Sequence, residues 1–359
     1  MNQNRIVLLA KKPGTTSFSS LFTVKHAFGT SKVGHTGTLD SFASGLLVVC
    51  TGSLTRLCGR ITEFSKTYKA VIKFGEETDT LECTGNVIRT APLPSYYSLE
   101  QSVKSYVGKS FQKPPAYSAL HVNGKRASDL VRSGKNVEMP LREIKVFSAK
   151  ILEVQFASNH DNSEIDFNEK KVIACCIEFS VSKGTYIRSL ARDIAYSCGS
   201  AGYLIGLLRT KVGNFNLEDA AGYSMLEDFN IENAFLSAER IREHEKKLLE
   251  LKLNNNYKKN NSKKNDLNPL ELELEQECIK KSVCMTRSLA NQCGFACLTL
   301  ADGKSTLFEN GAKLSNNMFT TSLYDIKEDV VAVFTPLEDF KGLLERNESG
   351  HFCYSFVIH

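Results

Sequence analysis

Two unbroken apolar runs of strand length, Ile6-Val7-Leu8-Leu9-Ala10 and Leu46-Leu47-Val48-Val49-Cys50, stand near the start of the chain. Between them Phe18, Leu21, Phe22, Lys25 and Phe28 recur at helical spacing behind Thr16 and Ser17, residues suited to capping. The period then drops to two, and residues 67–74 (Thr-Tyr-Lys-Ala-Val-Ile-Lys-Phe) predict a strand. Residues 98–107 and 186–197 read as helices, 143–157 and 171–181 as long strands. Long strands with few helices between them predict an α+β fold. Its sheet is expected to be mixed, largely antiparallel and flanked by helices, rather than doubly wound.

Residues 230–253 carry a charged amphipathic helix pattern, and the Asn/Lys stretch 254–265 ends all periodicity, as a linker or solvated spacer does. Strand-like patterning returns over 285–359, punctuated at Asp302-Gly303, Asn310-Gly311 and Ser349-Gly350. The expected organisation is a main domain over 1–228, a charged helix with a linker or insertion over 229–284, and a small all-β appendage over 285–359. No internal repeat is visible.

A chain of 359 residues holds two or three folded units, and 42% hydrophobic with 24% charged residues excludes wholesale disorder. No apolar run approaches the roughly 18 residues of a membrane span, and the run at 6–10 is shorter than a signal-peptide core. A soluble cytoplasmic protein is expected. Eleven cysteines cannot all pair internally, and Cys50, Cys175 and Cys176 lie in apolar stretches that read as buried strands. Cys293 and Cys297 have no second ligand pair at zinc-site spacing, so no metal is expected. The net charge is +5, of which Lys258, Lys259, Lys263 and Lys264, in a stretch without acids, supply +4. Overall basicity therefore does not select nucleic acid; a binding surface has to come from segregated charge.

Candidate chemistry concentrates where Gly34, Gly37 and Gly45 punctuate a short loop that delivers one carboxylate, Asp40, just ahead of the second apolar run. An acid held there serves as nucleophile, general base or turn-former. The spacing Gly29-x4-Gly34-His35-Thr36 is one residue from a phosphate-binding loop. His35 stands where the lysine belongs, however, and the order is helix then strand instead of strand then helix, which sets nucleotide hydrolysis aside.

Six motifs, taken in order, resemble those of the TruB-type tRNA pseudouridine synthases. They are Lys12-Pro13-Gly14, Gly34-His35-Thr36-Gly37-Thr38-Leu39-Asp40, Lys66-Thr67-Tyr68-Lys69-Ala70, Thr78-Asp79-Thr80, Pro114-Pro115-Ala116-Tyr117-Ser118-Ala119 and Lys183-Gly184-Thr185-Tyr186-Ile187-Arg188-Ser189-Leu190. The resemblance covers residues 5 to about 225 and implies the pseudouridine synthase core. It also implies an isomerase acting on a uridine in RNA, typically position 55 in the tRNA T loop. The bond from C1′ to N1 breaks, the uracil turns, and C5 takes its place on the sugar. Substrate and product are isomers, so no cofactor is implied.

By the same resemblance Asp40 is the catalytic carboxylate and Arg188 its cationic partner, a role that suits a permanently charged, two-pronged side chain. Tyr68 packs on the uracil and helps remove the C5 proton. Tyr186 and Leu208 line the uracil pocket, and His35 contacts the RNA and occupies the place of the extruded base. Lys11, Lys12, Lys125 and Arg126 are candidates for phosphate contacts, which supply most of the affinity for RNA. Where the family commonly has proline after the aspartate, this chain has Ser41-Phe42, a change that bears on loop shape. Residues 310–314 and 329–334 resemble the small β-barrel, PUA-like RNA-binding appendage of relatives. A monomer with tRNA as partner is implied. Two other readings stay open: an RNA-binding and folding protein that has lost catalysis, and the same chemistry on another RNA.

Overall fold

The computed structural model describes residues 4–118, 120–122, 124–134, 137–158, 166–253 and 268–358; the Asn/Lys stretch 254–265 lies outside them. In chain order the first half runs β1 (Ile6–Lys11), α1 (Leu21–Phe28), β2 (Val33–His35), β3 (Ser44–Thr51), α2 (Cys58–Thr62), β4 (Lys66–Phe74), β5 (Glu76–Thr78), β6 (Val87–Thr90), α3 (Tyr96–Ser105), β7 (Gly108–Gln112), β8 (His121–Val122), β9 (Lys125–Arg126) and α4 (Ala127–Arg132). Then come β10 (Arg142–Phe156), β11 (Val172–Val181), α5 (Ile187–Ser197), β12 (Gly202–Val212), β13 (Phe215–Asn216), α6 (Ile231–Leu253) and α7 (Pro269–Lys281). The chain closes with α8 (Arg287–Gln292), β14 (Ala296–Thr299), α9 (Ser305–Glu309), β15 (Val330–Phe334), β16 (Phe340–Arg346) and β17 (Phe352–Val357).

Nine strands make one sheet in the order β1-β3-β12-β4-β11-β10-β7, with β2 paired to β3 and β13 to β12. Every pairing is antiparallel except β3 with β12, so the sheet is mixed and largely antiparallel, as expected. Strands β3 and β12 are buried along nearly their whole length, which is why β3 reads as a run rather than an alternation. One face of the sheet packs under α5, whose Ile187, Leu190, Ala191, Ile194 and Ala195 fall at the spacing of a helical stripe and are all buried. Helix α1 stops at Gly29, which takes the left-handed conformation at φ 58°.

Helix α7 has no counterpart in the periodicity of the sequence. Its signal is a cap: the Asn268 side chain accepts from the Glu271 N–H while the Glu271 carboxylate accepts from the Asn268 N–H, with Pro269 in the first turn. Only Cys278 and Leu274 reach the core beneath α1, so the Glu-rich helix shows little apolar stripe. Beyond it, Val283 and Ile6 exchange backbone hydrogen bonds at 2.9 Å, returning the chain to β1.

The C-terminal part corrects the all-β expectation. Its four-stranded sheet runs β14-β15-β16-β17 with a parallel first pair, and α8 and α9 accompany it. Thr286 caps α8 by accepting from the Leu289 N–H at 3.2 Å, and the largely polar stretch behind it winds into a short helix that buries Leu289 and Ala290. This unit is not detached. Met285, Leu289, Phe334, Leu343 and Phe356 form one apolar cluster with Leu46, Val48, Cys50 and Leu208 of the main sheet. Cys50, Cys175 and Cys176 are buried, as expected. Among the described residues no helix is long and apolar enough to cross a membrane.

Candidate active site

Asp40 sits on the loop between β2 and β3, and three tethers shape that loop. Ser17 Oγ donates to the Leu39 carbonyl at 3.0 Å and accepts from the Leu39 N–H at 2.8 Å. Lys11 Nζ donates to the carbonyls of Ala43 (2.5 Å), Lys12 (3.1 Å) and Ser41 (3.3 Å). Arg209 closes the loop on itself, donating from Nε to the Leu46 carbonyl at 2.8 Å and from Nη2 to the Gly37 carbonyl at 3.1 Å. Buried cations are costly unless hydrogen-bonded, and here main-chain oxygens satisfy them. Gly45 lets β3 approach β12: its φ is +110°, and a Cβ there would stand 2.4 Å from the Arg209 carbonyl oxygen.

Helix α5 brings Arg188 to that aspartate. Its Nε stands 3.0 Å from Asp40 Oδ2 as an ion pair, and Nη2 donates the one hydrogen bond, to Oδ1 at 3.1 Å, so the guanidinium meets the carboxylate at two points. The guanidinium is 6% exposed and the Asp40 side chain 35%, so the cation is enclosed while the acid faces the cleft. Arg188 also donates to the Thr80 carbonyl from Nη1 and the Tyr117 carbonyl from Nη2, each at 2.9 Å, which fixes its plane. A second carboxylate, Glu82, lies 3.8 Å from Nη1. Burial pushes Glu82 up to about 7 against the pull of Arg188, and Thr84 Oγ1 donates to it at 2.9 Å.

The surrounding cleft has a volume of about 880 Å³, with Asp40, Tyr68, Tyr117, Tyr186, Arg188, Leu207 and Arg209 among its walls. Tyr186 is positioned through its backbone. Gln112, buried at the end of β7, accepts from the Tyr186 N–H at 2.9 Å and donates to its carbonyl at 3.0 Å. Burial raises the Tyr186 phenol above its ordinary range, so the hydroxyl stays protonated. Lys66 caps the end of α2 through the carbonyls of Thr62 (2.5 Å) and Phe64 (2.6 Å), and burial lowers it to about 8.

The sequence model described as TruB family pseudouridylate synthase, N-terminal domain, matches residues 25–187. The tRNA pseudouridine synthase B of Treponema denticola is 41% identical over 360 residues, spanning 98% of this chain and 93% of its own. The chain belongs to the TruB family of pseudouridylate synthases. It is therefore an enzyme, an isomerase. The tRNA pseudouridine synthase B of Francisella tularensis subsp. novicida is 36% identical over 245 residues, 67% of this chain and 76% of its own. A crystal structure of a Cbf5–Nop10–Gar1 complex matches with a TM-score of 0.58 at 20% identity, over 99% of this chain and 84% of that one, a likeness of fold. The pseudouridine synthase core expected of the family is thus present.

Four of the residues expected at the site of this TruB-family enzyme come together in the cleft: Asp40, Tyr68, Tyr186 and Arg188. Leu208 does not. Side chains alternate along β12, so Leu207 faces the cleft, while Leu208 points through the sheet into the cluster shared with the C-terminal unit. The leucine that lines the cleft is Leu207, one residue before the one expected. Lys11 is corrected as a phosphate contact: it is 1% exposed and spent on the loop carbonyls, and burial lowers it to about 7 while Asp40 opposes the shift. Lys12 lines a separate cavity behind the loop with Ser41 and Phe42. His35 is half-buried on β2 outside the cleft walls; burial, then Arg209, lowers its imidazole below the ordinary value, so it is neutral at pH 7. Glu82, Gln112 and Arg209 had no assigned role in the sequence. Glu82 stands two residues past Thr78-Asp79-Thr80 and Gln112 two before the Pro114-Pro115 motif, close enough for those motifs to have pointed to them.

Proposed function

We propose that this TruB-family chain isomerises the uridine at position 55 of the tRNA T loop to pseudouridine, with Asp40 acting at the ribose C1′ of a flipped-out nucleotide. The observation that carries the reading is the two-point contact between Arg188 and Asp40 in a cleft that Tyr68 also lines. A uridine stacked in a loop hides C1′ and C5 together, so it leaves the stack at a cost of a few kcal/mol. Asp40 then supplies the one carboxylate that cleavage of the C1′–N1 bond needs, oriented and charge-balanced by Arg188. The freed uracil turns against Tyr68, C5 bonds to C1′, and the C5 proton departs with help from the phenol. N1 gains a proton in exchange, so atoms balance without cofactor or energy source.

Tyr186 and Leu207 wall the uracil pocket, and neutral His35 fills the vacated place in the RNA. Lys12, Lys125 and Arg126 meet phosphates, and the PUA-like C-terminal unit extends the RNA surface. The chain acts as a monomer in the cytoplasm. The test maps pseudouridines in RNA from cells lacking the protein. Uridine at tRNA position 55, restored to pseudouridine by the wild-type chain, is the expected result. An unchanged position 55, or loss confined to another RNA, overturns the assignment.

A further inference from the structure

Phe18 is 73% exposed, the most exposed phenylalanine among the described residues. A single exposed ring is ordinary by itself; this one is set apart by its fixed place and the cation over it. The site is rigid. Thr16 Oγ1 donates to Ser19 Oγ at 2.9 Å, the Ser19 N–H donates back to Thr16 Oγ1 at 3.0 Å, and Ser20 Oγ donates to the Thr16 carbonyl at 3.0 Å. Next to the ring, Ser17 is buried and bonded both ways to Leu39, the residue before Asp40. The ring is therefore held at a set place beside the catalytic loop.

Its own segment is one-sided in charge, while the acids nearest Lys12 come from elsewhere in the chain, Glu227, Asp228 and Glu245 lining the same cavity. Residues 1–39 contain Arg5, Lys11, Lys12, Lys25 and Lys32 and no acidic residue. Lys25 Nζ lies over one ring face, 4.8 Å from the centroid, and the exposure leaves the opposite face open. Glu275, the acid that α7 presents to α1, is taken up by His26 at 2.5 Å. An aromatic face with a cation behind it and no free acid on its own segment suits a ligand that is both planar and anionic.

We propose that Phe18 is a stacking platform for an unpaired base of the RNA substrate outside the catalytic cleft, with Lys25 and Lys12 meeting the phosphates on either side. The proposal rests on the reading of this chain as a tRNA-modifying enzyme and adds a second point of grip on the same loop. Stacking on an aromatic side chain tolerates any base, so the platform orients the loop and does not read its sequence.

The chain has no tryptophan, so Phe18→Trp in an Asp40→Asn background creates a single tryptophan, excited at the red edge where the tyrosines do not absorb. Titration with a tRNA transcript is expected to quench its emission saturably, with the dissociation constant that filter binding gives. In the otherwise wild-type enzyme Phe18→Ser is expected to raise KM about 5- to 100-fold with kcat unchanged, and Phe18→Tyr to restore it. Emission that stays constant while filter binding saturates, or a wild-type KM for Phe18→Ser, overturns the platform and leaves the enzymatic reading standing. Failure of the unsubstituted chain to bind tRNA overturns both.

Discussion

Replacing Arg188 by lysine keeps the charge near Asp40 and removes the fork, which separates geometry from electrostatics. In the wild type one guanidinium touches both Asp40 oxygens, at 3.0 and 3.1 Å, and the carbonyls of Thr80 and Tyr117, each at 2.9 Å. A single ammonium cannot hold the carboxylate at two points and serve both carbonyls. Each charge-assisted hydrogen bond lost costs about 1.5–3 kcal/mol, and the open cleft lets water recover part of it, so the folded state loses about 2–4 kcal/mol. The larger effect is on rate, because a carboxylate freed from its second contact swings, and a misplacement of about 1 Å costs on the order of a hundredfold. Isomerisation expels the hydrogen on C5, so tritium released from tRNA carrying 5-tritiated uridine reports each turnover. Measured with enzyme in excess, the single-turnover rate is expected to fall about a hundredfold while tRNA affinity changes little. A rate near wild type would refute the argument that the two-point contact positions Asp40.

Three further outcomes follow from the geometry. Leu207→Ala and Leu208→Ala each remove a buried leucine at a cost of about 2–5 kcal/mol, but only Leu207→Ala should also slow single turnover, since only Leu207 lines the cleft; equal rates for the two variants would contradict the register of β12. Glu82 holds its proton up to about 7 when folded, against 4.5 ordinarily, so the folded state binds more protons in that interval and its burial destabilises progressively as pH rises from 4.5 to 7. By pH 8 the loss reaches ~3 kcal/mol, and urea midpoints at pH 5 and 8 should show a steeper fall for the wild type than for Glu82→Gln; parallel slopes would contradict this. Gly45→Ala forces a Cβ to within 2.4 Å of the Arg209 carbonyl oxygen at a positive φ, so it should cost about 3 kcal/mol or more and depress the thermal midpoint sharply, and a wild-type midpoint would refute that close approach.

Periodicity made most of the main sheet legible, because β4 alternates and β1 and β3 carry unbroken apolar runs. Helix α7 escaped because so few of its side chains reach the core, and only its capping box marks it. Asp40 was visible as a lone acid on a glycine-punctuated loop, yet composition left it three roles; pairing with Arg188 emerges only when α5 is folded against that loop. Leu208 illustrates the limit of motif matching within a strand, where one residue decides which face a side chain takes. Lys11 illustrates another. A lysine beside a second lysine reads as surface charge, and nothing local tells that its ammonium is enclosed by the carbonyls of a loop some 30 residues away.

The account depends on the carboxylate of Asp40 meeting the ribose of the target nucleotide. Asp40→Asn is nearly isosteric and keeps a partner for Arg188, so the decisive measurement is pseudouridine formed in tRNA by this variant, alongside its tRNA affinity. Binding close to wild type with no pseudouridine is the predicted result. Pseudouridine formed at the wild-type level would contradict the central claim.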